Sequence, residues 1–419
     1  MEADAEIKQN GLWQRYRTLP TNVFALSFVA FLNDVSSDII YPLLPAFLFL
    51  TLGASPFAIG LIEGFAESVA SILKLFSGYL SDKFENRKLP VFLGYSLAAV
   101  TRPMLVFVTT WPQVLVVRML DRVGKGIRGA PRDALIAGGV DVKSRGLAFG
   151  FNRAADHLGA VVGPVVAFIL LSFLATDPSN PTTREYQQVF LFASIPVVIG
   201  LFIIGFFVHE KKKERVDIEK NPIKFSLKVF DGNFKRFLIV ISLFTLSNST
   251  DAFLLLRAQQ SGIAPVVLPL LWMVLHFSKV FSSLAGGNLS DRFGRKGVIV
   301  SGWVLYALVY VGFAFVNEPW QAWALFAVYG AFFGLTEGVE KALVADMVED
   351  EKRGTAYGLY NLAYGITVFP ASLLFGFLWT GYGVETAFIV SACISIIAAL
   401  LFLGIKTKGL HEAPSTGIT

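Results

Sequence analysis

Acidic and basic side chains stand at helical spacing inside stretches that are otherwise apolar. Asp34 and Asp38, in Asn33-Asp34-Val35-Ser36-Ser37-Asp38, repeat the spacing of Glu63 and Glu67. On a helix such pairs lie on one face. Arg118, Arg122, Lys125, Arg128 and Arg132, with Asp121 and Asp133, crowd a later stretch, followed by Arg153, Asp156 and His157. The second half is sparser, with Asp251, Arg257, His276, Lys279, Glu337, Glu340 and Lys341. A charge placed in hydrocarbon costs roughly 2.5–3.5 kcal/mol, so each must face a cavity, a partner or a solute. Two carboxyls as close as Asp34 and Asp38 are expected to share a proton near neutral pH, because like charges oppose joint ionisation. With Glu67 they are the candidate proton-coupling groups. Arg and Lys recognise carboxylate and phosphate directly. Arg118, Arg122 and Lys125, together with Asp156, Asp251 and Lys279, are therefore the candidate groups for an anionic or amphipathic solute. Arg122 and Lys125 are expected to pair with Asp34, Asp38 or Asp156, or with the solute itself. The alternative for every charge is a structural ion pair between helices. That alternative is expected for Lys74, Arg132, Asp133, Glu340 and Lys341, which stand near span ends where long side chains reach the interface. His157 and His276 fit a structural hydrogen bond or a titrating role equally. Trp272, Trp303, Trp323 and Trp379 are candidate walls for an aromatic part of the solute.

The elements that hold these residues are membrane spans. Hydrophobic residues make up 54% of the 419 and charged ones 16%, below the usual quarter, and mean hydropathy is +0.60. Runs of roughly 20 apolar residues recur, long enough to cross about 30 Å of hydrocarbon. Twelve spans are predicted, near 22–50, 56–80, 89–110, 112–139, 146–174, 187–208, 236–259, 264–289, 297–316, 319–347, 354–380 and 384–405. Pro42 and Pro45 are expected to bend the first. Five regions follow: a tail over 1–21, a six-span half over 22–208, a charged linker over 209–234, a second six-span half over 235–405, and a tail over 406–419.

The net charge of +5 does not point to nucleic acid, because the cations gather on one side of the predicted spans. Lys83, Arg87, Lys88, Lys143, Arg145, Lys211–Lys213, Arg292, Arg295, Lys296, Lys352, Arg353, Lys406 and Lys408 follow even-numbered spans. The opposite loops are nearly bare, Arg184 and Arg257 apart. The positive-inside rule puts both termini and the linker in the cytosol, with the protein multi-pass in the cell's inner (plasma) membrane. Met1 to about Pro20 reads as a cytosolic tail with no cleavage site. The sole cysteine, Cys393, excludes an internal disulfide. No metal-spaced Cys/His cluster, nucleophile elbow, zinc-protease motif or phosphate-binding loop occurs. The expectation is no enzyme, no metal and no cofactor, with an ion gradient as the energy source. The expected partners are the lipid bilayer, protons and a small-molecule solute, with the chain acting as a monomer.

The chain also repeats itself. Gly78-Tyr79-Leu80-Ser81-Asp82-Lys83-Phe84-Glu85-Asn86-Arg87-Lys88 returns half a chain later as Gly287-Asn288-Leu289-Ser290-Asp291-Arg292-Phe293-Gly294-Arg295-Lys296. Arg132-Asp133-Ala134-Leu135-Ile136-Ala137 with Arg145-Gly146 returns as Glu340-Lys341-Ala342-Leu343-Val344-Ala345 with Arg353-Gly354. In a membrane chain such halves are two bundles with a solute site between them.

These doubled loops resemble the signature of the major facilitator superfamily between its second and third helices and its echo between the eighth and ninth. The resemblance covers the whole chain. It implies an all-α fold of twelve transmembrane helices in two pseudo-symmetric six-helix bundles. It also implies that Gly78, Asp82 and Arg87, and Gly287, Asp291 and Arg295, form gating loops that latch the cytosolic side shut. The first copy carries Glu85-Asn86 where the family has glycine, so its turn is expected to be wider. Gly159-x-x-x-Gly163-Pro164 resembles the family motif associated with antiporters, a helix-packing stripe with a bend. Arg122-x-x-Lys125-Gly126 resembles the arginine motif of the drug/proton antiporter branch, with Lys125 and Arg128 departing from it. The resemblance implies a secondary active transporter working by alternating access coupled to protons, with export favoured. The alternatives are a proton-coupled importer of a carboxylate-type nutrient or siderophore-like metal chelate, and an uncoupled facilitator.

Overall fold

In a computed structural model residues 19–83, 86–141, 144–210 and 227–406 are described, and no strand occurs among them. Twelve long helices follow in order: α1 Thr21–Ile40, α2 Pro56–Lys83, α3 Lys88–Met104, α4 Trp111–Gly138, α5 Arg145–Leu174, α6 Thr183–Phe207, α7, α8 Leu268–Phe293, α9 Arg295–Ala314, α10 Pro319–Asp346, α11 Arg353–Tyr382 and α12 Val384–Leu403. Helix α7 is in two pieces, Gly232–Ser247 and Ala252–Gln260. Most of the linker and both tails lie outside the described residues.

Local sequence explains the starts and breaks. Gln113 Oε1 accepts from the backbone N–H groups of Thr109 and Thr110 at 2.7 and 3.2 Å, opening α4 with a capping box. Gln321 does the same for Asn317 and Glu318 at 2.8 and 3.1 Å, opening α10. The duplicated halves thus reuse one cap, which satisfies N–H groups that a helix start leaves bare. Around Pro42 the helix after α1 breaks and resumes as Leu44–Ala46 and a π-helical turn, Phe47–Thr51. The break in α7 departs from expectation: the span placed over 236–259 is interrupted at 248–251. Asn248-Ser249-Thr250-Asp251 offers four side chains that compete for backbone hydrogen bonds, and Tyr306 Oη donates to the freed Ser247 carbonyl at 2.6 Å. Gly294, at φ 84°, turns α8 sharply into α9. Between α2 and α3 the chain runs from Lys83 to Lys88, residues 84 and 85 lying outside the described set.

Among the described residues, eleven spans are long and apolar enough to cross a membrane, counting the pieces of α1 and α7 together. The expected fourth span is the exception. Its charges exclude α4 by composition, yet α4 is inside the bundle because its neighbours answer those charges.

Packing partners give each half the same ring. It runs α2–α4–α3–α6–α1–α5 in the first and α8–α10–α9–α12–α7–α11 in the second. The halves meet where α2 packs on α11 and α5 on α8. The α2–α11 seam is drawn tight by missing side chains. A Cβ at Gly64 would lie 2.6 Å from that of Ser372, and one at Gly376 would lie 2.7 Å from the Pro56 carbonyl. Ser68 Oγ donates to the Gly365 carbonyl at 2.6 Å, and Phe57 N–H to Thr380 Oγ1 at 3.1 Å. These contacts occupy the face opposite the basic loops. Toward the basic face, a Cβ added at Gly146, Gly150, Gly287 or Gly354 would meet nothing within 4 Å among the described residues.

The interiors differ. The second half is packed with rings: Trp303 stacks on Phe244 at 4.3 Å, Tyr306 on Tyr310 at 4.1 Å, and Phe375 meets Phe388 edge-on at 4.9 Å. The first half is held by ion pairs and close backbones.

Candidate functional site

The charges of α4 sort into locked and available groups. Arg118, expected to meet solute, is instead held by Glu63 through two bonds, Nε–Oε1 at 2.8 Å and Nη2–Oε2 at 2.6 Å. Both side chains are buried, and the bidentate pair occupies the Nε–Nη2 edge of the guanidinium. Arg128 donates to the Gly94 carbonyl and to Asn33 Oδ1, both at 3.1 Å, and lies 4.4 Å from the Tyr95 ring centre. Asp121 accepts from Arg102 at 3.2 Å, and Arg102 reaches Asn33 O and Oδ1, both at 3.0 Å. Arg132 pairs with Asp133 at 3.3 Å and Asp156 at 3.8 Å.

Arg122 and Lys125 remain. Arg122 is buried, its one ion partner among the described residues is Glu67 at 3.9 Å, and its Nε has no hydrogen-bond partner. Glu67 keeps 38% of its side chain exposed. Lys125 is exposed and makes no hydrogen bond or ion pair among the described residues, while Arg122, Glu67 and Asp34 lie within electrostatic range. The expected pairing of these cations with Asp34, Asp38 or Asp156 is not made. Asp34 accepts from the Asn33 amide at 3.0 Å, Asp38 from Trp272 Nε1 at 3.0 Å. Asp156 sits nearer the basic face, with Arg132 and, at 3.9 Å, Arg153. The reason is register: four residues further along α5 is one more turn toward the far face, where Gly159 and Gly163 occupy the places opposite the aspartates.

Those glycines position the acids. A Cβ at Gly159 would lie 2.9 Å from that of Asp34, and one at Gly163 2.8 Å from that of Asp38. The Gly159/Gly163 stripe, with Pro164 inside the helix, therefore brings α5 directly onto the acidic turn of α1.

In the second half, Tyr329 Oη donates to Asp251 Oδ1 at 2.8 Å beside the α7 break. Lys279 Nζ lies 3.3 Å from the centre of the Phe333 ring, a cation–π contact, and has no ion pair among the described residues. Two expectations fail here. Glu340 is buried with no ion pair among the described residues: Trp303 Nε1 donates to it at 3.0 Å and Tyr360 Oη at 2.7 Å. Lys341 instead pairs with Glu337 at 3.3 Å. Trp303 and Trp379 are core residues, not cavity walls, because the ring cluster encloses them.

In the second gating loop the ion pairs described stay within the half. Arg295 bonds Asp291 at 3.0 Å and Asp346 at 2.8 Å. Glu210 caps α3, its carboxylate accepting from the N–H groups of Arg87 and Lys88 at 2.9 and 3.0 Å. The surroundings of Gly78 and the side chain of Asp82 lie outside the described residues. Asp291 makes no hydrogen bond or ion pair to the other half among the described residues.

Sequence reasoning missed Asn33 and Arg102. Arg102 was a visible signal, a lone cation deep in the apolar run 89–110. Asn33 gave none beyond its place beside Asp34.

The comparisons agree with this architecture. The family model described as Major Facilitator Superfamily matches residues 26–278 and again 237–417. An uncharacterized MFS-type transporter of Methanocaldococcus jannaschii is 34% identical over 410 residues, covering 96% of this chain and 98% of the relative. A proton-coupled antiporter flippase of Staphylococcus epidermidis is 21% identical, covering 91% and 89%. Among solved structures, a point variant of a nucleoside transporter superposes with a TM-score of 0.77 at 17% identity, over 91% of this chain and 99% of that one. Two matched bundles and these likenesses make one conclusion: the chain is a multi-pass membrane transporter and belongs to the major facilitator superfamily.

Proposed function

We propose that this chain exports an anionic or amphipathic organic solute in exchange for protons, by alternating access and with no resident cofactor. In this reading the basic face is cytosolic, both termini lie there, and the conformation described is open to the cytosol. Arg122 carries the reading. It is a buried guanidinium with an unpartnered Nε, only loosely paired with Glu67 at 3.9 Å and close to the ammonium of Lys125. A buried donor left unmade is costly, and a carboxylate or phosphate entering the space would satisfy it. Asp34, Asp38 and Glu67 are the proton-handling groups. The proton-coupled antiporter among the relatives supports the exchange.

Arg122→Gln is expected to weaken solute binding by about 10–100-fold, the worth of a charge-assisted hydrogen bond, at any pH. Arg122→Lys keeps part of the affinity. A thermal-shift screen against anionic, cationic and neutral ligands, followed by titration of the hit, measures this. Undiminished affinity in Arg122→Gln would return a neutral or cationic solute to first place.

The same contact also favours a second reading. A proton on Glu67 would release Arg122 to an anion, and binding that cooperates in this way suits cotransport, hence import of a carboxylate-type nutrient. The sign of proton movement separates the two. A solute gradient imposed on proteoliposomes drives protons against the solute in exchange and with it in cotransport.

A further inference from the structure

Among the described residues, four hydrogen bonds join the two halves. Two belong to the α2–α11 seam. The others centre on the far end of α1, where Tyr41 Oη meets Thr250 Oγ1 at 3.4 Å and Trp272 Nε1 donates to Asp38 Oδ1 at 3.0 Å. Only the last of the four ends on an acid. The indole of Trp272 is buried, packs on the Tyr41 ring at 4.8 Å and meets His276 edge-on at 5.1 Å. It stands on α8 just past the far-face turn Pro265–Val267, which itself packs on α5. The acid of α1 is thus bonded to the helix that must swing away if the far face is to open.

We infer that Trp272 bolts the far face shut while Asp38 is ionised, and that a proton on Asp38 slackens the bolt. This rests on the proton-exchange reading above. A hydrogen bond to a carboxylate is about twice as strong as one to a neutral acceptor, so protonation weakens the tie without abolishing it. An exchanger must not turn over empty, and a bolt that holds the empty, ionised carrier supplies that restraint. A cotransporter must reorient empty, and the same bolt would hinder it. The other charges facing Asp38 are Asp34 on its own helix, Arg122 and Lys125 from α4, and Lys279 from α8. Glu67 of α2 and Asp251 of α7 flank that set through Lys125 and Lys279, and His276 adjoins the indole. From α5, Gly163 abuts Asp38. Among the described residues none of these supplies a second donor to the Asp38 carboxylate.

The test reads the far face directly, in purified protein without solute or gradient. Val266, buried in the far-face turn, is replaced by Cys in a Cys393→Ser background, and its rate of maleimide labelling is followed at pH 8 and pH 5.5, corrected for the reagent's own pH dependence. With Trp272 present the corrected rate is expected to rise about fivefold on acidification, the effect of losing one charge-assisted increment. Trp272→Phe keeps the ring but not the N–H, and should label fast at both pH values. Thr250→Val, which cuts the neutral contact together with the Ala252 N–H bond to the same hydroxyl, should label faster while keeping the pH response. Slow labelling of Trp272→Phe at pH 8, or an intact pH response in it, overturns the proposal. Should Trp272→Phe fail to elute as a single species, Asp38→Asn decides: fast, pH-independent labelling supports the bolt and slow labelling overturns it. Because no flux is measured, failure here leaves proton exchange standing, and failure of proton exchange leaves the bolt measurable.

Discussion

The Asp38→Asn protein is expected to equilibrate its solute and not to concentrate it. Under a pH gradient of one unit, a carrier moving one proton per solute can hold a gradient of about tenfold. The variant should settle near unity, while exchange of labelled for unlabelled solute is partly retained. The amide keeps an acceptor for Trp272 Nε1 and nearly the same volume beside Gly163. What it loses is the ability to bind and release a proton, so the loss of accumulation isolates coupling from folding. Asp34→Asn should behave alike, since the two carboxyls share a helical face and a field. Accumulation by both variants at the native ratio would move coupling to Glu67 or Asp156.

Arg118→Met is expected to cost about 3–5 kcal/mol of stability, because it strands the Glu63 carboxylate inside the bundle. The two existing bonds, at 2.8 and 2.6 Å, show how fully each charge depends on the other. The double variant Glu63→Gln with Arg118→Met should regain most of that loss, since an amide and a thioether tolerate the site without a charge. Thermal unfolding in detergent checks both. A single variant as stable as the native protein would mean that water reaches Glu63. A double variant as poor as the single would mean that the pair orders α2 and α4 in a way neutral side chains do not.

The helices were legible because lipid demands long apolar segments, and the duplication because both loops carry Gly-x-Leu-Ser-Asp-x-Phe followed by Arg-Lys. The glycine stripe of α5 was legible as a packing face, though not as the surface that meets Asp34 and Asp38. Pairing was not legible. Arg118, Arg122 and Arg128 look equivalent in the sequence, yet one is bound by Glu63, one is nearly free and one is absorbed by Asn33 and a backbone carbonyl. Which it is depends on the rotation of α2 and α1 against α4, a tertiary quantity that spacing does not encode. Glu340 and Lys341 erred for a related reason. Adjacent residues on a helix point about 100° apart, so one faces Trp303 and Tyr360 while the other faces outward to Glu337. The α7 break was written in Asn248-Ser249-Thr250-Asp251 but hidden by the apolar average of the window around it.

The charge of α4 bears on how the chain is made. A helix too polar to enter hydrocarbon by itself must be received by something that answers its charges. Nearly every such group precedes it: Asn33 in α1, Glu63 and Glu67 in α2, and Gly94 and Arg102 in α3. Synthesis from the N-terminus therefore delivers those receptors before the helix that needs them, while Arg132 waits for Asp156 of α5. A rearranged gene that moved α4 ahead of α2 would present the same residues to the insertion machinery with no counter-charges yet made, and the fourth segment would stay in water.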